Sequence, residues 1–286
     1  MEIRRSLRSI SPSLEPNVRL CPLAVFSFEN LLYRYYSLVV KFVKLNKRVE
    51  VSMQLLISVA TAEEVGAALQ GGADIIDVKN PAAGALGAAS VTVLRDVCAL
   101  LPSDRLSSAA LGESDSAPGA LALAAYGAAT LGVGYVKLGL RTAQPDEAIT
   151  LLQTIQTGVQ LANPTCGLIA VGYADATKIG ALPWQLLPEI ARAARIVGCM
   201  IDTAIKDGHR LFDYCTEPDL KQWLADCRRA GLLCALAGAL TLAELPALRR
   251  LSPDVVGFRG AACVRDRVNG QVKSELVAQL RAGLLE

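Results

Sequence analysis

The chain has 286 residues, of which 52% are hydrophobic, and its 29 Lys and Arg nearly balance its 27 Asp and Glu. This length suits one large barrel or two small domains, and the balanced charge excludes binding of nucleic acid through a strongly basic surface. No apolar run reaches the roughly 18 uncharged residues needed to span a bilayer. The nearest candidate, residues 23–43, is interrupted by charged side chains. We therefore expect neither a nucleic-acid partner nor a membrane partner.

The cysteines and the histidine limit the chemistry further. Eight cysteines are scattered along the chain without a Cys-x-x-Cys pair. Several lie in apolar stretches, where a reduced thiol behaves as a small hydrophobe, and this pattern favours a reducing cytoplasm. His209 is the single histidine, so a histidine-based zinc site or catalytic triad is not expected. We expect no metal and no cofactor.

Residues 1–52 differ in composition from the rest of the chain. They hold nine Lys or Arg against four Asp or Glu, and six of the fourteen aromatic residues. They show no strand–helix rhythm, so we expect this extension to lie outside the fold, which would begin at Met53. Two origins stay open: a basic amphipathic segment for targeting or for a membrane surface, or a start codon assigned too far upstream.

From Gln54 onward, strand and helix patterns alternate eight times. Short apolar runs predict strands at residues 54–59, 73–78, 105–110, 134–138, 166–172, 199–203, 232–236 and 254–258. Stretches rich in alanine and leucine predict helices at residues 61–70, 90–101, 117–131, 145–161, 183–197, 216–230, 241–250 and 272–284. Two of these helices begin with a predicted capping box, Thr61 with Glu64 and Thr241 with Glu244.

Eight βα units with short connections predict a single-domain (β/α)8 TIM barrel over residues 53–286. The alternative is a doubly wound open sheet, which usually carries a Gly-x-Gly-x-x-Gly turn after its first strand. Here that turn reads Val-Ala-Thr-Ala over residues 59–62, with no glycine. The barrel is therefore preferred, and in barrels the chemistry lies at the carboxyl ends of the strands.

The second predicted strand delivers two charged residues to that end. Residues 73–81 read Ala-Asp-Ile-Ile-Asp-Val-Lys-Asn-Pro, which is typical of a buried parallel strand that ends by presenting Asp77 and Lys79. One interpretation is a buried ion pair that only fixes strand register. The other is functional: a lysine beside a carboxylate in a half-dry pocket can lose its proton near neutral pH and attack a carbonyl.

Two further strands favour the functional interpretation. The fourth strand carries Lys137 near its end, and the sixth carries Asp202 with Lys206 just beyond it. Three lysines sharing one pocket repel one another, which lowers the pKa of at least one amine. A neutral lysine can form an imine with an aldehyde, and the imine then serves as an electron sink. This constellation predicts aldol-type lyase chemistry on a small sugar phosphate.

Loops after the later strands are candidates for binding the substrate. Tyr173 and Asp175 follow the fifth strand. The seventh strand ends at Gly238, and the eighth is followed by Arg259 and Gly260. Loops at the last two strands of such barrels often bind phosphate through backbone N–H groups, and glycine permits that close approach. We therefore expect Asp175, Gly238, Arg259 and Gly260 to contact substrate.

A family resemblance is carried by the following runs, in order along the chain: Gly-Gly-Ala-Asp-Ile-Ile-Asp-Val-Lys-Asn-Pro (71–81), Gly-Ala-Leu-Gly-Ala (84–88), Tyr-Val-Lys-Leu-Gly-Leu (135–140), Ala-Val-Gly-Tyr-Ala-Asp-Ala (170–176), Met-Ile-Asp-Thr-Ala-Ile-Lys-Asp-Gly (200–208), Ala-Leu-Ala-Gly (235–238) and Val-Gly-Phe-Arg-Gly-Ala-Ala-Cys (256–263). Together they resemble (5-formylfuran-3-yl)methyl phosphate synthase, also called 4-(hydroxymethyl)-2-furancarboxaldehyde phosphate synthase. The resemblance extends from Met53 to the C-terminus.

The resemblance implies a (β/α)8 lyase of methanofuran biosynthesis. Such an enzyme condenses two molecules of glyceraldehyde 3-phosphate, loses one phosphate and water, and closes a furan ring. It implies that Lys79 is the Schiff-base lysine and Lys137 the proton-transfer group, and that Asp77, Asp202 and Lys206 complete a pocket that needs no metal.

Two other functions stay open at this point. One is a different lysine-dependent class I aldolase that acts on a phosphorylated aldehyde. The other is a barrel that binds phosphorylated metabolites without catalysis. We also expect a homo-oligomer, whose number of subunits the sequence does not give.

Overall fold

The computed structural model of the protein describes residues 53–286. The predicted extension 1–52, with its two possible origins and its apolar run, lies outside the described residues. No helix in the described part of the chain is long and apolar enough to cross a membrane.

Eight parallel strands close into a barrel, because each strand pairs with its neighbours in chain order and β8 pairs with β1. The strands are β1 Gln54–Val59, β2 Ile75–Val78, β3 Leu106–Glu113, β4 Tyr135–Gly139, β5 Gly167–Tyr173, β6 Gly198–Asp202, β7 Leu233–Leu236 and β8 Val255–Phe258. All eight predicted strands are present. They were recognisable because parallel strands buried on both faces are nearly continuous apolar runs.

One helix of at least seven residues follows each strand and packs on the outside of the barrel. These helices are α1 Glu64–Gln70, α2 Val91–Ala99, α3 Pro118–Thr130, α4 Pro145–Ala162, α5 Leu187–Ala194, α6 Glu217–Arg229, α7 Leu245–Leu251 and α8 Ser274–Leu285. One-turn helices, Ala176–Ile179 and Leu211–Tyr214, lie in the loops after β5 and β6. This arrangement confirms the predicted (β/α)8 TIM barrel.

One predicted capping box forms and the other does not. The Thr241 hydroxyl accepts from a backbone amide while the Glu244 carboxylate accepts from the Thr241 amide at 2.7 Å, as predicted. The prediction for Thr61 and Glu64 is wrong, since α1 begins without a side-chain cap. The Glu64 carboxylate instead binds the guanidinium of Arg259 at 2.6 Å, a partner that lies at the other end of the barrel sequence.

The interior of the barrel is layered from apolar to polar. The apolar layer contains side chains from five strands: Leu56, Ile75, Ile169, Met200 and Val255. Side chains alternate between the two faces of a strand, so the inward position two residues further on is Ser58 in β1 and Asp77 in β2. Polar side chains therefore begin one layer closer to the carboxyl ends, where the candidate site lies.

Candidate active site

A cavity of about 310 Å³ opens at the carboxyl ends of the strands. This volume is at the small end of the range found for ligand pockets. Its lining includes five cationic side chains, Lys79, Lys137, Lys206, Arg259 and Arg267, and the carboxylate of Asp202. The predicted catalytic lysines are thus brought together in one cavity, from three different strands.

Asp77 lies at the base of this site and is fully buried. Its carboxylate accepts hydrogen bonds from the Ser58 hydroxyl at 2.8 Å and from the Ser108 hydroxyl at 2.6 Å, and it pairs with Lys137 Nζ at 2.7 Å. Burial opposes ionisation, but the charges of Lys137 and Lys79 and the hydrogen bonds outweigh it, and the pKa of Asp77 is lowered. Asp77 is therefore a carboxylate that fixes the amine of Lys137 in place.

Lys79 extends from the end of β2 and is 7% exposed. Burial removes its ammonium from water and lowers its pKa from 10.5 to about 8, although the charges of Asp202 and Asp77 oppose the change. Repulsion by Lys137 and Lys206 adds to the lowering but is smaller than the effect of burial. The direction agrees with the prediction, whereas the main cause is desolvation and not the crowding of lysines.

Asp202 and Lys206 form a second ion pair at the end of β6. Lys206 Nζ lies 2.8 Å from Asp202 Oδ1 and also donates to the Thr203 hydroxyl at 3.0 Å. Burial would raise the pKa of Asp202, but Lys206 and Lys79 reverse this effect and hold that pKa at about 2. Asp202 is therefore a fixed negative charge beside Lys79.

Asp175 does not line the cavity, although it was predicted to contact substrate. Its two carboxylate oxygens accept from the backbone amides of Ala204 and Ile205, each at 2.8 Å. It is 1% exposed. Its contacts place Asp175 beneath the loop that precedes Lys206, where it supports that loop.

Arg259 lines the cavity, but its guanidinium is largely occupied by protein acceptors. It binds Glu64 at 2.6 Å and donates to the backbone carbonyls of Ser58, Arg267 and Gly270 at 3.0 to 3.2 Å. These contacts use four of the five N–H groups of a guanidinium. Arg259 therefore ties β1 to the loop after β8.

Five backbone amides of the last two loops, unlike the guanidinium of Arg259, have no hydrogen-bond acceptor within the described residues. Within residues 53–286, the structure contains no protein acceptor for the amides of Gly238, Ala239, Leu240, Gly260 and Ala261. All five residues line the cavity. Gly238 has φ of +112°, and a Cβ there would lie 3.2 Å from the Thr203 amide nitrogen, so this turn requires glycine. Unpaired backbone N–H groups at a cavity wall can bind an anion.

The sequence did not point to Ser58, Ser108 or Arg267. Both serines are the register partners of Asp77 on the neighbouring strands, and Arg267 lies in the long loop after β8. A second, partly buried pair, Tyr173 with Glu113, lies at the ends of β5 and β3. Burial raises the pKa of Glu113, and the Tyr173 hydroxyl and Arg141 only partly counter it.

Comparisons with known proteins agree with this architecture. Residues 55–281 match the family model described as 4-HFC-P synthase. The chain is 42% identical over 231 residues to (5-formylfuran-3-yl)methyl phosphate synthase of Methanobrevibacter smithii, covering 80% of this chain and 98% of that protein. It is 40% identical over 233 residues to the synthase of the same name from Methanopyrus kandleri, covering 81% and 98%.

Solved structures with low sequence identity share the fold. KGPDC from Streptococcus mutans, in complex with D-R5P, gives a TM-score of 0.57 at 14% identity and covers 82% of this chain and 97% of its own. Phosphoribosyl anthranilate isomerase from Thermus thermophilus gives 0.54 at 14% identity, covering 82% and 98%. The family model and the archaeal relatives span nearly the whole described barrel, and the chain belongs to the (5-formylfuran-3-yl)methyl phosphate synthase family.

Proposed function

We propose that this protein condenses two molecules of glyceraldehyde 3-phosphate to (5-formylfuran-3-yl)methyl phosphate, with loss of one phosphate and of water, in the biosynthesis of methanofuran or an analogue. The observation that carries the proposal is the environment of Lys79, a buried amine with a pKa of about 8 in a cavity lined by further lysines. The names of the relatives support the product.

The first step assigned to Lys79 is imine formation. Its neutral amine attacks the aldehyde carbon of one substrate molecule, a C–N bond forms, and the resulting carbinolamine loses water to give a protonated imine. Asp202 stabilises this cation, because it stays ionised and its charge already acts on Lys79. The protonated imine withdraws electrons from the adjacent carbon, so a proton on that carbon becomes removable.

Lys137 is assigned the proton transfers that follow. Its amine lies 2.7 Å from a buried carboxylate that can stabilise it when protonated and hold it in one orientation. The ammonium can donate its proton to the hydroxyl that leaves as water when the imine forms, and the neutral amine can then remove the proton next to the imine. The imine supplies the electron sink, and we therefore propose that the reaction needs no metal; addition of a chelator should leave the rate unchanged.

The substrate phosphates are assigned to the loops after β7 and β8. Five backbone amides that have no acceptor within residues 53–286 line the cavity there. An anion would supply the missing acceptors, and phosphate sites in barrels of this kind are commonly built from these two loops. Gly260 is the position to test, since an added Cβ would meet only the Cβ of Arg267, at an ordinary contact distance of 4.0 Å.

Borohydride trapping with glyceraldehyde 3-phosphate tests the proposal. Reduction should leave a covalent adduct on Lys79, located by peptide mass spectrometry, and the untreated reaction should develop the near-ultraviolet absorbance of a furan aldehyde. Lys79→Arg should lose both signals, because a guanidinium stays protonated and cannot attack. The matched control is Lys178→Arg, since Lys178 is exposed and donates to Tyr214 outside the cavity.

Each alternative function gives a distinct result in this experiment. A different class I aldolase would form the adduct but no furan chromophore. A barrel that only binds phosphorylated metabolites would form neither. An adduct on another lysine, with Lys79→Arg retaining more than about a hundredth of the wild-type rate, would contradict the assignment of Lys79.

A further inference from the structure

Most cations that line the cavity are neutralised by protein carboxylates. Lys137, Lys206 and Arg259 each lie within 2.8 Å of a carboxylate oxygen. The negative charges of two aspartates, Asp202 and Asp77, also act on Lys79. Arg267, like Lys79, has no carboxylate within ion-pair distance among residues 53–286, and the charges of Asp202 and Asp266 act on it only from further away. A half-buried guanidinium at the cavity wall thus has no direct carboxylate partner within the described residues.

The guanidinium of Arg267 is held in a fixed position by backbone contacts. Its two terminal nitrogens donate to the carbonyls of Pro81 at 2.8 Å and Gly84 at 3.0 Å, in the loop after β2. Its own carbonyl accepts from Arg259 Nε at 3.0 Å. A guanidinium carries five N–H groups, so three remain for another acceptor. Arg267 therefore joins the loop after β8 to the loop after β2 and keeps three N–H groups for another acceptor.

We propose that Arg267 binds a phosphomonoester of the substrate, together with the cavity-lining amides of the loops after β7 and β8. The charge of Arg267 and the amides of Gly260 and Ala261 belong to one loop and line one cavity. A dianionic phosphate satisfies both features, because it supplies several acceptor oxygens and matches the planar fork of a guanidinium. This inference rests on the proposed function, since each glyceraldehyde 3-phosphate brings one such group.

The assignment also gives different roles to Arg259 and Arg267, which both belong to the loop after β8. Arg259 uses four of its N–H groups in hydrogen bonds to the protein and pairs its charge with Glu64, so it positions the loop. Arg267 keeps three donors and its charge, so it is the arginine available to the substrate. The sequence had pointed to Arg259 for this role.

The test compares trapping at Lys79 with glyceraldehyde 3-phosphate and with glyceraldehyde, which lacks the phosphate. In the wild type the phosphorylated aldehyde should react faster. Arg267→Met should reduce that preference about 10- to 100-fold, the usual loss for a hydrogen bond to a charged group. Arg267→Lys should lose less, because it keeps the charge. The control Arg265→Met removes an exposed arginine of the same loop and should keep the wild-type preference.

Two results would overturn the inference. An unchanged preference in Arg267→Met would show that the phosphate is bound elsewhere. An equal loss for both aldehydes would show that Arg267 only ties its loop to Pro81 and Gly84. Titration with inorganic phosphate, followed by phosphorus NMR, measures binding without imine chemistry. The affinity of Arg267→Met for phosphate should be lower than that of the wild type by a similar factor. A wild type that binds phosphate through Arg267 but forms no adduct would contradict the proposed function and not this inference.

Discussion

The rate of imine formation should depend on the protonation state of one amine, that of Lys79. Burial lowers the pKa of that amine from 10.5 to about 8, against the charges of Asp202 and Asp77. Only the neutral amine attacks a carbonyl, so the trapping rate should rise about tenfold per pH unit below pH 8 and level off above it. At pH 7 about a tenth of such an amine is neutral, against about 1 in 3,000 at the ordinary pKa, a gain of roughly 300-fold.

The assay is quantification of the cyanoborohydride-trapped adduct by mass spectrometry, with short reaction times between about pH 6 and pH 9.5. Asp202→Asn tests the direction in which the midpoint of this pH profile moves. The Asp202 charge favours the ammonium form of Lys79, so its removal should move the midpoint to lower pH. A wild-type rate that keeps rising beyond pH 9, or a midpoint that moves upward in Asp202→Asn, would refute the assigned environment of Lys79.

Three further predictions concern stability, proton transfer and the extension. Below pH 8 Lys79 is charged in the folded protein as well as in the unfolded chain, and burial of that charge destabilises the fold. This penalty decreases between pH 8 and 10.5, where the buried amine is neutral and the unfolded one is still protonated. Lys79→Met should therefore raise the free energy of unfolding by up to about 3 kcal/mol at pH 7, measured with urea, and by less at higher pH. Lys137→Met should still give a trapped adduct at Lys79 but no furan product, because the nucleophile and the proton-transfer group are separate side chains. A simultaneous loss of the adduct would instead mean that Lys137 is needed to activate Lys79. A protein that begins at Met53 should retain full turnover, since all assigned groups lie downstream; a folded but inactive truncated protein would contradict this.

The barrel and the charged residues at the ends of its strands could be predicted from the sequence. A charged residue within a short apolar run stands out, because burial of an unpaired charge is costly. Asp77 and Lys79 were found in this way, and Lys137 and Asp202 followed from the same pattern. The strand ends were predictable because β-branched and leucine-rich runs stop at glycine, proline or polar residues.

The remaining parts of the site depend on contacts that a linear pattern does not contain. The Glu64–Arg259 pair joins residues 195 positions apart, so local capping rules assigned Glu64 to the wrong partner. Ser58 and Ser108 matter only because closure of the barrel places them beside Asp77. Arg267 lies in a loop without periodicity, and its importance follows from the carboxylates that the other cations already have.

The hydroxyls around Asp77 also bear on how the barrel folds. Ser58 in β1 and Ser108 in β3 lie in register with Asp77 in β2. A slip of one residue would place Ile57 or Val59 beside this buried carboxylate, and each lost partner would cost about 1–3 kcal/mol. The Asp77 carboxylate and its two serine partners therefore favour one alignment of β1, β2 and β3, and loss of Asp77 should slow refolding as well as catalysis.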